Sequence, residues 1–252
     1  MCHDLDSHPP IQAIAGAAVD TRELVLKSSD GTEFAAYAAL TPGTSAPAVV
    51  ILPDIRGLHQ FYKELADRFA ENGTSAVAID YFGRTAGVAT RGDAFDWQTH
   101  VAQTKSLQVV QDVAAALAYL RKSNPQRAVF TVDFCFGGSN SWAQGMAAHQ
   151  LNGVIGFYGG ITRPMRDGSP SVLDRVPELK TPLLALMGGQ DQGIPVADVD
   201  RFREALQAAH KQAEVVLYPE ATHSFFDRRY VEFANASADA WRRVNAFIQA
   251  HA

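Results

Sequence analysis

The chain has 252 residues, of which 47% are hydrophobic and 19% are charged. This balance excludes a disordered chain and suits one well-buried domain of the α/β kind. The formal net charge of −5, with Lys and Arg scattered along the chain, argues against nucleic acid or an anionic membrane as a partner.

The amino-terminal segment MCHDLDSHPP has neither a basic region nor an apolar core, so no secretion signal is predicted. No apolar run in the sequence is long enough to span a bilayer. Two cysteines do not make a disulfide framework, and a reducing cytoplasm is the expected compartment. Residues 1–20 are interpreted as an N-terminal arm, and residues 21–252 as a single α/β domain.

The first predicted elements are two strands, at 22–27 and 33–39, joined by the turn pair Asp30-Gly31. Ala48–Leu52 (AVVIL) is a continuous apolar run, which is typical of a strand covered on both faces. The helix that follows is predicted to end at Asn72-Gly73, because this pair favours a C-terminal cap.

Strands and helices alternate from there to the end of the chain. The predicted strands lie at 75–79, 128–132, 154–158, 183–187 and 214–218, and the predicted helices at 107–120, 137–149, 196–212 and 241–248. This alternation indicates a largely parallel sheet with helices on both faces. Two segments, 83–100 and 159–180, fit neither periodicity, and both are predicted to form the rim of a pocket.

Three reactive side chains follow three of the predicted strands. Cys135 comes after 128–132, Asp191 after 183–187 and His223 after 214–218. Open parallel sheets bind ligands beyond the carboxyl ends of their strands, and nucleophile, acid and histidine in this order are typical of the α/β-hydrolase fold. A core cysteine, a turn aspartate and an exposed histidine are the plain alternatives. All three of these alternatives must be true at once for a Cys-His-Asp triad to be wrong. The triad is therefore the favoured interpretation.

Each member of the predicted triad has a physical role. A strand-to-helix elbow lifts the side chain of Cys135 over a helix N-terminus, and the small residues Gly137 and Gly138 let strand and helix pack closely. The positive helix end and a protonated His223 both favour the reactive thiolate. Asp191 orients the imidazole and stabilises its charged form.

These residues resemble the dienelactone hydrolases (carboxymethylenebutenolidases), and the resemblance extends from about Ala48 to Phe247. Its motifs are FCFGG at 134–138, MGGQD at 187–191 and HSF at 223–225. Cysteine in place of serine at the elbow is the specific part. The resemblance implies an α/β-hydrolase fold with a mostly parallel central sheet, and it implies the same triad.

The resemblance also implies roles for residues outside the triad. The backbone N–H groups of Ile55 and Phe136 match the oxyanion hole, which typically supplies the largest single stabilisation in such enzymes. Arg84 matches the arginine that binds the substrate carboxylate. Tyr158 and Ser224 match positions that line the pocket.

The sequence departs from the family pattern at three acidic positions. Asp54 stands where the family usually has a glutamate that holds the resting thiol, and it is shorter by one methylene. Asp133 stands where the elbow usually opens with glycine, so it either crowds the turn or places a carboxylate near the sulfur. Asp227 stands where a second substrate-binding arginine is usual. The fold and the triad of the family are expected in this chain, but the dienelactone substrate is not.

The two irregular segments contribute charged and aromatic side chains. Arg84 favours an anionic or strongly polar substrate, although a loop arginine is equally often a solvated surface charge. Trp97, a substrate-binding candidate, and His100 are expected either to close over the pocket or to be structural. The second segment is longer than usual in the family and brings Arg163 and Arg166.

The predicted activity is hydrolysis of a small-molecule ester or lactone. The Cys135 thiolate attacks the acyl carbon, the oxyanion is held by the N–H groups of Ile55 and Phe136, and water activated by His223 clears the thioester. Good leaving groups are preferred, because a thiolate is itself easily expelled. No cofactor and no metal are required, although Cys2, His3, Asp4 and His8 cluster near the N-terminus with metal-binding side chains.

Two alternatives stay open at this point. One is a carboxylesterase of the same fold with a substrate other than a dienelactone. The other is a non-catalytic ligand-binding or thiol redox-sensing protein, which the departures at Asp54 and Asp133 favour.

Overall fold

The computed structural model describes residues 7–92 and 94–252. A single mixed sheet holds eight strands, and each begins and ends as follows: β1 Asp20–Lys27, β2 Glu33–Leu40, β3 Ala48–Leu52, β4 Ser75–Ile79, β5 Val129–Phe134, β6 Gly153–Phe157, β7 Leu183–Gly188 and β8 Ala213–Tyr218. Their spatial order is β1-β2-β4-β3-β5-β6-β7-β8. The pairs β1/β2 and β2/β4 are antiparallel, and all other neighbours are parallel.

Seven α-helices connect or follow these strands in the described residues: α1 Gln60–Glu71, α2 Gly83–Ala86, α3 Trp97–Val101, α4 Ser106–Arg121, α5 Phe136–Gln144, α6 Val196–Ala208 and α7 Ala234–His251. Strands β3 to β7 are buried along their whole length, which requires cover on both faces of the sheet. Among the described residues, no helix is long and apolar enough to cross a membrane.

The predicted alternation of strands and helices is confirmed, and so is the largely parallel sheet. The predicted bounds of β3 and β4 match residue for residue, and α1 ends at Glu71, just before Asn72 and a Gly73 whose φ of +86° completes the turn. Helices α2 and α3 were not predicted, because four or five residues are too few to show a 3.6-residue period.

A layer of aromatic rings lies beneath the carboxyl end of β5. The ring centroid of Phe134 is 4.7 Å from that of Phe157 and 5.8 Å from that of Phe226, and Phe157 and Phe226 are 4.6 Å apart. All three side chains are buried. They form a rigid platform for the turn that follows β5, because stacked aromatic rings combine large buried area with a defined geometry.

Candidate active site

Cys135 occupies a strained turn between β5 and α5. Its φ of +59° and ψ of −114° lie in a region that non-glycine residues rarely adopt, and such strain is typical of functional sites. Its N–H donates to the carbonyl of Phe157 at 3.1 Å. Behind the turn, a Cβ atom on Gly138 would lie 2.6 Å from Cα of Gly159, so the predicted close packing at Gly138 is confirmed.

His223 follows β8 and meets Asp191, which follows β7. Nδ1 of His223 donates a 2.6 Å hydrogen bond to Oδ2 of Asp191. The second carboxylate oxygen of Asp191 accepts the N–H of Gly193 at 2.8 Å, and the Asp191 side chain is almost fully buried. These contacts orient the imidazole and leave Nε2 as the ring nitrogen that is available to Cys135.

The surroundings of His223 favour its charged form. Burial lowers the pKa of the imidazole, but hydrogen bonds to Asp191 and Cys135 and the negative charges of both groups outweigh burial and raise the pKa to about 10. A charged imidazole next to a cysteine is the arrangement that favours a reactive sulfur.

Cys135 and His223 line a common cavity of about 430 Å³, which is within the usual range for small-molecule sites. Ile55, Phe136 and Tyr158 line the same cavity. Within residues 7–92 and 94–252, no acceptor takes the backbone N–H of Ile55 or of Phe136. Two backbone donors at the cavity wall therefore have no internal hydrogen bond to break when a ligand oxygen arrives.

Asp133 does not crowd the elbow. Its carboxylate turns inward, where one oxygen accepts the N–H of Phe134 at 2.6 Å and the other accepts the N–H of Ser141 at 3.1 Å. Burial raises the pKa of this carboxyl well above its usual range. The two N–H groups lower the pKa, and the charges of Cys135 and Asp54 raise it further. The place of this carboxylate near the sulfur stays a prediction.

Asp54 is also buried, at the end of β3. One of its oxygens accepts the N–H of Arg56 at 2.9 Å, and its own N–H donates to the phenol oxygen of Tyr62 at 3.0 Å. These bonds hold the turn that presents Ile55 to the cavity. The role of Asp54 in holding the resting thiol stays a prediction.

Asp227 is a buried acid whose place in the site was not predicted. It accepts a 2.7 Å hydrogen bond from the Tyr158 hydroxyl and a second from the N–H of Arg228, and the Tyr158 ring lies 4.9 Å from the His223 ring. Burial raises the pKa of Asp227 to about 7, although these two hydrogen bonds lower it. The sequence signal is an aspartate directly after the apolar pair Phe225-Phe226.

Arg84 does not lie in the cavity, contrary to the role implied by the resemblance. Its Nη1 donates to both carboxylate oxygens of Asp112, at 2.8 and 2.6 Å, and its Nε donates to Asp30 at 2.9 Å. Its Nη2 bonds to Ser28 at 3.0 Å. Two carboxylates already neutralise this guanidinium, so it is not available to a substrate anion in this arrangement.

Ser224 and Trp97 also lie outside the cavity wall. Ser224 is buried with a φ of +63°, and its carbonyl accepts the N–H groups of Asp227 and Arg229, so it shapes the turn after His223. Trp97 begins α3 and packs against the hydrophobic core. Of the two irregular segments, 159–180 contributes residues to the cavity wall as predicted, whereas the described residues of 83–100 do not.

Cys2, His3 and Asp4 lie outside the described residues. His8, the fourth member of that predicted cluster, has its Nδ1 2.6 Å from a carboxylate oxygen of Glu64. In the part of the chain that the structure describes, no three His, Cys, Asp or Glu side chains group as metal ligands.

The sheet order and the elbow after β5 define an α/β-hydrolase, as predicted. The chain matches the profile of the dienelactone hydrolase family over residues 34–252, and it therefore belongs to that family. A protein of Methylorubrum extorquens, provisionally named a carboxymethylenebutenolidase, is 30% identical over 251 residues, which cover 95% of this chain and 86% of the relative.

A protein of Escherichia coli K12 with the same provisional name is 29% identical over 228 residues, covering 86% of this chain and 82% of the relative. A solved structure from Klebsiella pneumoniae, provisionally named a dienelactone hydrolase, has a TM-score of 0.81 at 25% identity. That match covers 92% of this chain and 99% of the other.

Proposed function

We propose that this protein hydrolyses the ester bond of a small-molecule ester or lactone through a thioester on Cys135. His223 acts as the general base and acid, and Asp191 orients it. The observation that carries the proposal is the 2.6 Å hydrogen bond between His223 and Asp191, next to a cysteine at positive φ in the same cavity.

The thiolate of Cys135 attacks the acyl carbon, and the carbonyl oxygen becomes an oxyanion. The N–H groups of Ile55 and Phe136, which have no acceptor among the described residues, stabilise this charge. His223 gives its proton to the departing alkoxide as the C–O bond breaks. The neutral imidazole then takes a proton from water, the resulting hydroxide attacks the thioester, and the free carboxylic acid and the thiolate are released.

The side chains around the cavity favour a substrate other than a dienelactone. Arg84 is committed to Asp112 and Asp30, and Asp227 stands where the resemblance implies a second arginine. The recognition of a small carboxylated lactone by those two positions is therefore lost in this chain. An ester or lactone that is held by other groups of the cavity fits the structure better.

The proposal is tested with a para-nitrophenyl ester and three proteins: the native enzyme, Cys135→Ala and Cys2→Ala. We expect Cys135→Ala to lose the burst of nitrophenol and to fall to the uncatalysed rate, a loss of about 10³-fold or more. Cys2→Ala removes the other cysteine and is the matched control, with unchanged activity. Mass spectrometry of the quenched native enzyme should find one acyl group, on the peptide that contains Cys135.

Equal rates for the native enzyme and Cys135→Ala would remove the basis for a cysteine hydrolase. In that case, reversible oxidation of Cys135 by peroxide would support the alternative of a thiol redox-sensing protein.

A further inference from the structure

Two arginines line the cavity without a carboxylate partner. Arg163 and Arg166 belong to the stretch after β6 that forms one wall, together with Cys135 and His223. Among residues 7–92 and 94–252, no carboxylate oxygen lies within 4.0 Å of either guanidinium, whereas Arg84 is bound by buried Asp112. Cationic side chains that are already neutralised do not recognise a substrate anion, but these two are available for it.

The wall that carries both arginines is anchored at each end. Before it, the hydroxyl of Thr162 donates to Asp198 on α6 at 2.9 Å. After it, Asp167 accepts the N–H of Ser106, at the start of α4, at 2.7 Å and the Ser106 hydroxyl at 3.1 Å. The backbone of the arginines is thus held between two helix N-termini, which lowers the cost of ordering them around a ligand.

The guanidinium groups themselves have only weak contacts. Nη2 of Arg163 approaches the carbonyl of Gly193 at 3.4 Å, and Cζ of Arg166 lies 5.8 Å from the ring centroid of Phe136. Phe136 directly follows Cys135, so Arg166 lies over the residue whose N–H faces the reacting carbonyl in the proposed mechanism. Most of the N–H donors on both guanidinium groups are unused.

The remaining charges of the cavity leave it positive. The only carboxylate in the described wall is Asp198, which accepts from Thr162 and lies 3.5 Å from Arg201. The thiolate of Cys135 and the imidazolium of His223 cancel each other. Asp198 is already paired with Arg201, so Arg163 and Arg166 leave this wall of the cavity positive.

We infer that Arg163 and Arg166 form the specificity site of this enzyme. They select esters whose acyl or alcohol part carries a terminal oxyanion, a carboxylate or a phosphate, at the cavity wall formed by these two arginines. Guanidinium groups bind such anions through paired N–H···O bonds. The inference rests on the proposed hydrolase activity and adds the part of the substrate that the triad does not define.

The kinetic test uses two para-nitrophenyl esters of equal chain length, one ending in a methyl group and one in a carboxylate. We expect Arg163→Gln/Arg166→Gln to lower kcat/KM for the carboxylate ester by about 10- to 100-fold, mainly through KM, and to leave the neutral ester within twofold. A third ester, which ends in a phosphate, shows which oxyanion is preferred. Arg175→Gln, at a partly buried arginine of the same segment that lies outside the cavity wall and pairs with Glu178, is the matched control.

A second measurement does not need turnover. Glutarate or glycerol phosphate should slow the alkylation of Cys135 by iodoacetamide in the native protein and not in the double variant. If both esters lose activity equally, or if protection is the same in both proteins, the two arginines do not select the substrate. Ester hydrolysis that still requires Cys135 would then leave the proposed function intact. Hydrolysis that persists in Cys135→Ala would instead refute the proposed function, while anion protection still decides the role of the arginines.

Discussion

The hydroxyl of Tyr158 donates a 2.7 Å hydrogen bond to Asp227, and both side chains are completely buried. Because Tyr158 also packs against His223, an acid at residue 227 is coupled to the ring that we propose as the catalytic base. Burial raises the pKa of this acid to about 7. The pair therefore gives the site a group that changes its charge near neutral pH.

Asp227→Asn should change how stability depends on pH. The pKa of Asp227 is about 7 in the folded state and about 3.8 in the unfolded state. The proton on Asp227 therefore stabilises the fold fully below about pH 4, and this stabilisation is lost as the pH rises through 7. Asparagine keeps an acceptor for the N–H of Arg228 and offers its NH2 group to the Tyr158 oxygen. Relative to the variant, we expect the native protein to lose up to about 3 kcal/mol of unfolding free energy between pH 5 and pH 8.

Urea unfolding of both proteins at the two pH values measures this difference. Glu220→Gln, which removes an exposed acid, is the control for the loss of one carboxylate. A constant difference for Asp227→Asn would show that Asp227 is ionised throughout.

Asp191→Asn should abolish most activity without unfolding the protein. The amide oxygen can still accept the N–H of Gly193, which turns the NH2 group toward Nδ1 of His223. Nδ1 must then accept, the proton moves to Nε2, and the base loses its lone pair on the side of Cys135. We expect kcat to fall by about 10³- to 10⁴-fold at pH 7, with a melting temperature within a few degrees of the native value. A loss below tenfold would exclude Asp191 as the orienting carboxylate.

The contact between Gly138 and Gly159 predicts which glycine tolerates a side chain. A methyl group on Gly138 meets the backbone of Gly159 at 2.6 Å and cannot be relieved by moving a side chain. We expect Gly138→Ala to cost about 3 kcal/mol or more and to disturb the elbow, measured by thermal unfolding and ester hydrolysis. Gly160→Ala is the matched control, since its nearest neighbour is the Ser139 hydroxyl at 3.4 Å, and it should cost less than about 1 kcal/mol.

The pair of Arg84 and Asp112 should matter for stability and not for catalysis. The Asp112 side chain is 1% exposed, so Arg84→Met leaves a buried carboxylate without its guanidinium and should cost about 3–5 kcal/mol. Adding Asp112→Leu removes that charge and should recover most of the loss. The double variant should hydrolyse the carboxylate ester with a KM within twofold of the native value. A KM that rises tenfold in this folded double variant would restore Arg84 as a substrate-binding residue.

Much of this architecture is predictable because local apolar patterns report burial directly. Ala48–Leu52 is a strand with the predicted bounds, since a short apolar run between turn residues favours a strand that is covered on both faces of a sheet. Cys135, Asp191 and His223 each follow a predicted strand, so their arrival at one sheet edge follows from the parallel order alone. The contact between His223 and Asp191 agrees with that expectation, while the catalytic role of the three residues awaits the experiments proposed above.

The sequence by itself thus determined the fold class, the strand positions and the residues that meet at the carboxyl edge, because each of these follows from burial and chain order within short segments. Only the tertiary structure decided where the charges are balanced. Arg84 pairs with Asp30 and Asp112, which are distant in the sequence, and Asp227 is buried against Tyr158. In the described part of the chain, Arg163 and Arg166 have no carboxylate partner at the cavity wall. Electrostatic energies depend on the distances between charged groups that lie far apart in the chain, and no local pattern of residues encodes those distances.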